Sequence, residues 1–343
     1  MKSNFIIGSI KSQTGDIPQV STILNIDDKF GGLKVRLSMN RDDYKVEAGI
    51  YAVGNPNETS DVFVSANYKL SFDILRKNLH TFNAWILVLD TKGINVWCAA
   101  GKGTFGTKEL IYRMNVVSLN KIVNHKRIIL PQLGAVGVAA HKIKFYTGFN
   151  VVYGPVNASD IKTFVNSNYK ATKEMRTVNF NLKERLKLIP VDFLYAKIYL
   201  LGAFALLFIL SAINKNGLSI DSAMNNGFNA ILLLFLAYIS GIVLTPMLLP
   251  YIPARSFAFK GLITGFVIYC ILFQFNKVGD NKIEILSWLF IFSAISSFLA
   301  MNFTGSSTYT SLSGVKKEMK IAIPLQISSS AIGLVLFIIS KFI

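Results

Sequence analysis

One cysteine sits where its chemistry can matter: Cys98, in Gly93-Ile-Asn-Val-Trp-Cys-Ala-Ala-Gly-Lys102. Composition alone reads a lone cysteine as a small buried hydrophobe. Its setting points elsewhere. The residue lies in a loop beyond an apolar strand-like run, beside Lys102 and just before a helix start, surroundings that favour a thiolate. A thiolate is a nucleophile or a ligand for soft, polarisable metals. The pattern gives a reactive or metal-binding thiol without naming the metal.

Other chemistry finds less support. Gly101-Lys-Gly-Thr-Phe-Gly106 fits a dinucleotide fingerprint, yet ten residues separate it from Asp90, and no acid follows between Glu109 and Asp160 to hold a ribose. His80, His125 and His141 stand at no metal-ligand spacing, and none lies in an Asp-x-His-x-x-Gly pattern, which excludes a histidine-ligated corrinoid carrier. No G-x-S-x-G elbow anchors a serine nucleophile. Cys98 and Cys270 fall in dissimilar regions, so no disulfide framework is expected, and two cysteines cannot supply the four of an iron–sulfur cluster.

The elements that must position Cys98 read as α/β. Val46–Val53, Val62–Ala66, Ala84–Asp90, Arg127–Leu130 and Phe149–Tyr153 are predicted strands. Tyr68–Leu79, Thr107–Leu119, Val136–Thr147 and Ser159–Ser167 carry helical spacing. The alternation predicts βαβ units and a mainly parallel sheet. Ligands of such sheets bind beyond the strand carboxyl ends, here the loops after Asp90, Leu130 and Tyr153. The stretch before Val46 is weakly patterned. Ile94–Ala99 itself has β-propensity and reads as a strand after a Thr91–Gly93 turn.

The chain of 343 residues is 52% apolar yet carries a net charge of +17. Residues 1–187 hold 26 Lys+Arg and 14 Asp+Glu, while residues 188–343 hold only 10 and 5. The expected organisation is therefore a soluble domain over 1–187 and a transmembrane domain over 188–343. Five spans are predicted: Phe193–Ile213, Phe228–Leu249, Leu262–Phe275, Ile285–Met301 and Ile323–Ser340. Pro246 and Pro250 are expected to close the second. Lys173, Arg176, Lys183, Arg185 and Lys187 before the first span place the N-terminal domain in the cytosol, and Met1–Ile10 lacks the apolar core of a signal peptide. Asn179–Ile189 is a basic amphipathic join suited to a membrane surface.

The octet Asn95-Val-Trp-Cys-Ala-Ala-Gly-Lys102 resembles the cap motif of the HgcA family, the corrinoid proteins of the mercury-methylation pair. Ser65-Ala-Asn-Tyr-Lys-Leu-Ser-Phe-Asp73, Leu130-Pro-Gln-Leu-Gly134 and Tyr153-Gly-Pro-Val156 resemble the corrinoid domain shared with the corrinoid iron–sulfur protein large subunit. Leu244-Thr-Pro-Met-Leu-Leu-Pro250 and Met301–Gly314 resemble the family's membrane half.

The resemblance implies a Rossmann-like α/β corrinoid-binding domain followed by an all-α transmembrane domain of five helices in the cytoplasmic membrane. It implies a cobalamin-type corrinoid held base-off, with Cys98 as lower axial ligand to cobalt. A strongly donating thiolate would raise electron density on the cobalt-bound methyl and ease its departure to Hg(II) as a carbanion equivalent. Asn95, Val96 and Trp97 would shape the lower face. Ser65, Ser71, Gly134 and Gly154 would approach the corrin or its tail. The family pattern also makes the stretch around Cys98 a short cap helix, and that reading is preferred over the strand.

Implied partners are a ferredoxin-like iron–sulfur electron donor, a methyl-folate-linked methyltransferase as methyl source, Hg(II) as substrate, and membrane lipid. No nucleic acid is expected. The basic segment Leu110–Ser159, with six Lys/Arg and no acid, suits an acidic ferredoxin or anionic lipid. The alternative in the same cofactor class is a membrane-anchored methyl carrier of one-carbon, acetyl-CoA-pathway-type metabolism, for which a thiolate ligand is not expected. A transporter or receptor would require ionisable residues within the spans, and these are nearly absent.

Overall fold

The computed structural model describes residues 4–37, 39, 41, 43–303 and 312–343, so residues 304–311 of the Met301–Gly314 motif lie outside the described residues. The chain divides into two compact units, Met1–Val178 and Asn179–Ile343.

The strands of the first unit are β1 (Ile6–Ser12), β2 (Gly15–Val20), β3 (Gly49–Val53), β4 (Val62–Ala66), β5 (Ala84–Leu89), β6 (Arg127–Leu130) and β7 (Asn150–Tyr153). Its helices are α1 (Ile26–Arg36), α2 (Lys69–Asn78), α3 (Val96–Lys102), α4 (Thr107–Val116), α5 (Leu119–Ile122), α6 (Ala140–Thr147), α7 (Ile161–Asn166) and α8 (Lys173–Arg176). The sheet runs β1-β2-β3-β5-β4-β6-β7. β5, β4, β6 and β7 are mutually parallel, β3 runs against β5, and β1–β2 is a hairpin joined parallel to β3. The sheet is thus mostly parallel, with an antiparallel step on one side.

β5 is apolar and buried at every position because both its faces are covered. Trp85, Leu87 and Leu89 pack with residues of α3 to α6, whereas Ala84, Ile86 and Val88 pack with Phe72, Ile161, Phe164 and Met175 from α2, α7 and α8. The period-two alternation of one strand therefore feeds two cores. This three-layer arrangement agrees with the predicted class.

The weakly patterned start folds as β1, β2 and α1. β1 is exposed along most of its length, so it lacks the alternation that marks a half-buried strand. α1 is held by charge instead. Asn25 and Asp28 form a capping box. Asp28 then pairs with Lys69 at 2.5 Å and with Arg76 at 2.6 Å, and both cations also pair with Asp73. Burial opposes ionisation of Asp28, but the hydrogen bonds and charges of Lys69 and Arg76 hold its carboxyl below the usual range.

The predicted helices Thr107–Leu119, Val136–Thr147 and Ser159–Ser167 are all shorter in the structure, the second by the most. Val136–Thr147 becomes helical only from Ala140, after a 3₁₀ turn at Gln132–Gly134. Packing is the reason: a Cβ on Gly134 would meet Phe105 Cε1 at 2.4 Å, and one on Gly137 would meet Phe105 O at 2.1 Å.

In the second unit come α9 (Leu182–Tyr195), α10 (Lys197–Ser211), a hairpin of β8 (Ile213–Asn214) and β9 (Gly217–Leu218), then α11 (Ile220–Ile239), α12 (Thr245–Leu248), α13 (Phe257–Gln274), α14 (Lys282–Asn302) and α15 (Leu312–Ser340). Among the described residues, four helices are long and apolar enough to cross a membrane: Ile220–Leu248, Phe257–Gln274, Lys282–Asn302 and Gly314–Ser340. There are five if α9 and α10, bent by 54°, count as one. The predicted first span, Phe193–Ile213, straddles that bend. The second span ends at Leu248, just before Pro250 as expected, but it runs through Pro246, where the π-helical stretch Ser240–Leu244 widens the preceding turn.

Small residues set the helix contacts. A Cβ on Gly261 would lie 2.5 Å from both Ser296 O and Ala300 Cβ, and one on Gly333 would lie 2.6 Å from Ile291. Hydroxyls add to them: Ser296 Oγ donates to Gly261 O at 2.7 Å. Glu284 and Lys341 form a buried pair at 2.8 Å that ties α14 to the end of the chain.

Candidate cofactor-binding site

Parallel β4, β5, β6 and β7 send their loops out at one end of the sheet. The loop after β5 is Asp90–Asn95, and it turns twice in the left-handed region, at Lys92 (φ 60°) and Gly93 (φ 73°). Asn67, directly after β4, holds that turn together. Its Oδ1 accepts from Thr91 N at 3.1 Å, Thr91 Oγ1 at 2.9 Å and Gly93 N at 3.0 Å, while its Nδ2 donates to Asp90 Oδ1 at 3.1 Å. The Thr91 hydroxyl shares its one proton between Asn67 Oδ1 and Ile94 O, the latter at 2.7 Å. Asp90 N donates to Glu109 Oε1 at 2.9 Å, and the Asp90 carboxyl is held below its ordinary value by the hydrogen bond from Lys92.

This turn launches α3. Asn95 caps it by accepting from Cys98 N at 2.9 Å. The β-propensity of Ile94–Ala99 is overridden because the Asn67-bound turn and the Asn95 cap fix the backbone entry, while Ala99 and Ala100 are buried in the core beneath. The helix leaves Cys98 exposed and Trp97 37% exposed on its first turn, with Asn95 and Val96 half-buried. Lys102 lies one turn further along the same helix, exposed.

The glycine-rich run serves the cap rather than a phosphate. Gly101 lies inside α3 and Gly103 ends it at φ 82°. A Cβ on Gly106 would meet Gly103 O at 2.7 Å. The underside of α3 is fixed by Phe105, which is fully buried and fills the space left by Gly134.

The remaining predicted residues line the same end of the sheet in different settings. Ser65 is buried in β4 with its hydroxyl on Ala66 O at 3.2 Å. Ser71 is half-buried in the first turn of α2. Gly154 follows β7, and its amide donates to Leu130 O at 2.7 Å. The loops after β6 and β7 are tied further by Tyr153, whose hydroxyl donates to Val138 O at 2.7 Å.

Asn67 and Thr91, which organise the turn, are absent from the sequence-based selection. The only signal for them is position, since a polar residue immediately after a buried strand marks a loop at the sheet's ligand end. Beside them, burial pushes the Tyr68 hydroxyl up against the opposing pull of Arg41, with Cys98 adding to the rise.

The donor set suits one kind of metal group. Among the described residues no three His, Cys, Asp or Glu side chains gather into a metal site. A macrocyclic metal group brings most of its own ligands, so a lone exposed sulfur, such as that of Cys98 on the capped first turn of α3, suits it better than it suits a bare ion. In the loop after β6, Gln132 Oε1 is buried with no hydrogen-bond partner among the described residues, an acceptor free for a polar ligand. The residues present fit a corrinoid.

Residues 37–165 match the family model "CdhD: CO dehydrogenase/acetyl-CoA synthase delta subunit". The corrinoid/iron-sulfur protein large subunit of Moorella thermoacetica is 32% identical over 126 residues, 36% of this chain and 28% of that protein. The acetyl-CoA decarbonylase/synthase complex subunit gamma of Archaeoglobus fulgidus is 28% identical over 131 residues, 38% of this chain and 27% of that subunit. That of Methanocaldococcus jannaschii is 31% identical over 137 residues, 39% and 28% respectively. The chain thus spans little more than a quarter of the length of these relatives. Residues 37–165 carry a CdhD-type domain homologous to the corrinoid/iron–sulfur protein large subunit, and apolar helices follow it in this chain.

Proposed function

We propose that the first unit holds a corrinoid base-off at the strand ends and passes on its methyl group. The relatives named for corrinoid and acetyl-CoA complexes support methyl transfer in this general sense. When bound, the corrinoid supplies a methyl group on cobalt and gives it up to an acceptor. The chain's own residues set the environment. Cys98 would offer its sulfur to cobalt, and the Asn95 cap would hold that sulfur in place. Trp97 and Val96 would cover the apolar surface beside it. Ser65, Ser71, Gly134 and Gly154 would line the corrin or its tail.

Two acceptors divide the reading. The exposed, rigidly presented Cys98 carries the first: transfer to inorganic Hg(II), giving methylmercury, because a soft thiolate is the donor that would make the methyl group nucleophilic. The relatives favour the second more strongly, a membrane-anchored methyl carrier of one-carbon metabolism. In either case the domain would face the cytosol, draw its methyl group from a methyl-folate-linked methyltransferase, and take electrons from a ferredoxin-like donor.

Two measurements decide. The full chain reconstituted with cobalamin is expected to show a cobalt–thiolate absorption that Cys98→Ala loses, and identical spectra would remove the ligand role. Cells carrying the wild type are expected to form methylmercury from Hg(II). If none forms while the spectrum is normal, the carrier reading stands in its place.

A further inference from the structure

Elements α13, α14 and α15 border a groove of about 960 Å³ that methyl transfer does not use. Its walls include Phe259, Leu262, Ile321 and Leu325, all exposed large apolar side chains. Arg255 and Lys317 also line it, and neither is paired with a carboxylate among the described residues. Glu318 lies there too, with its Oε1 accepting from Ala258 N at 2.6 Å at the start of α13.

The floor carries an unmet demand. Gln326 is 7% exposed; its Nε2 donates to Ser297 Oγ at 2.8 Å, and Ser297 Oγ donates to Ala258 O at 2.8 Å. This chain of bonds holds the Gln326 amide level with the first turn of α13, next to the segment that carries Arg255. Its Oε1 is buried with no hydrogen-bond partner among the described residues, a cost that a bound donor would remove.

Apolar walls call for a hydrocarbon chain, the cations for an anion, and Gln326 Oε1 for a donor close to that anion. We infer that the groove binds an anionic glycerophospholipid whose headgroup bears a hydroxyl, of the phosphatidylglycerol type. The phosphodiester meets Arg255 and Lys317, the headgroup hydroxyl donates to Gln326 Oε1, and an acyl chain lies along Leu262 and Leu325. The inference depends on this unit lying in a bilayer and is independent of the corrinoid reading.

Native mass spectrometry of the full chain, purified in detergent and offered equal amounts of phosphatidylglycerol, phosphatidic acid and phosphatidylcholine, tests it. Phosphatidylglycerol is expected to be retained about tenfold over phosphatidylcholine. Equal retention of those two by the wild type overturns the site without recourse to any variant. Arg255→Gln with Lys317→Gln is expected to weaken both anionic lipids alike, and undiminished binding overturns the cationic contact. Gln326→Leu is expected to lower phosphatidylglycerol to the level of phosphatidic acid, which lacks the headgroup hydroxyl. An equal fall in both lipids overturns the hydroxyl contact.

Discussion

The two cysteines are both exposed on helices, yet their surroundings have nothing in common. Cys98 lies on the first turn of a seven-residue helix whose entry is fixed by Asn67 and Asn95 and whose underside is anchored by Phe105. Cys270 lies in the middle of α13, an apolar helix long enough to cross a membrane. One thiol is presented to water by hydrogen bonds that a short helix could not spare. The other faces outward because the helix around it has no need of a polar face. Exposure alone therefore says little about chemistry; what fixes the thiol in place says more.

The comparison breaks first at activity. Cys98→Ala is expected to reduce methyl transfer to the background of cells lacking the protein, while Cys270→Ala leaves it unchanged. Equal loss in both would mean that the cap is not the site. The accompanying labelling experiment should show Cys98 reacting with a charged, water-soluble maleimide and Cys270 only with a lipid-soluble one.

Next in size is the charge network between α1 and α2. Arg76→Met leaves Asp28 and Asp73 buried with reduced pairing and should destabilise the first unit by about 3–5 kcal/mol, read from denaturant unfolding of the full chain in detergent. The same network sets a pH dependence. Because the folded Asp28 carboxyl lies below its unfolded value of about 4, its contribution is fully present above that value and is lost as the pH falls through the lower, folded one. Acid unfolding should therefore begin below about pH 4, and Asp28→Asn should flatten the acid limb.

Smaller effects separate the turn from the cap. Asn67→Ala strips the Thr91 and Gly93 amides of their acceptor and should cost about 1–3 kcal/mol, with a loss of cobalamin retention that exceeds the loss of stability. Asn95→Ala should cost about 1 kcal/mol and weaken the cobalt–thiolate absorption without abolishing it. An unaltered spectrum in Asn95→Ala would show that the cap geometry does not hold the sulfur.

Much of this could be read along the chain. The continuous apolar run Ala84–Leu89 announced a strand covered on both faces, and the matched positions of β4, β6 and α2 followed from local periodicity. β1, β2 and α1 could not be read the same way, because an exposed edge strand has no burial pattern and α1 is held by partners such as Lys69 and Arg76, more than forty residues away. The site divides likewise. Cys98 and its octet stood out, but Asn67 did not, since its importance lies in meeting Thr91 and Gly93 across two strand ends.

By itself the sequence determined the two-part organisation and the strand-and-helix alternation. These follow from composition and short-range periodicity, which each segment carries within itself. Only the tertiary structure decided that Asn67 closes the turn before the cap helix, that the glycines of Gly101–Gly106 shape the cap rather than a phosphate cradle, and that the first apolar run breaks by 54°. Those outcomes depend on which loops meet at the end of the sheet and which side chains must fit beneath a helix, contacts that no single segment specifies.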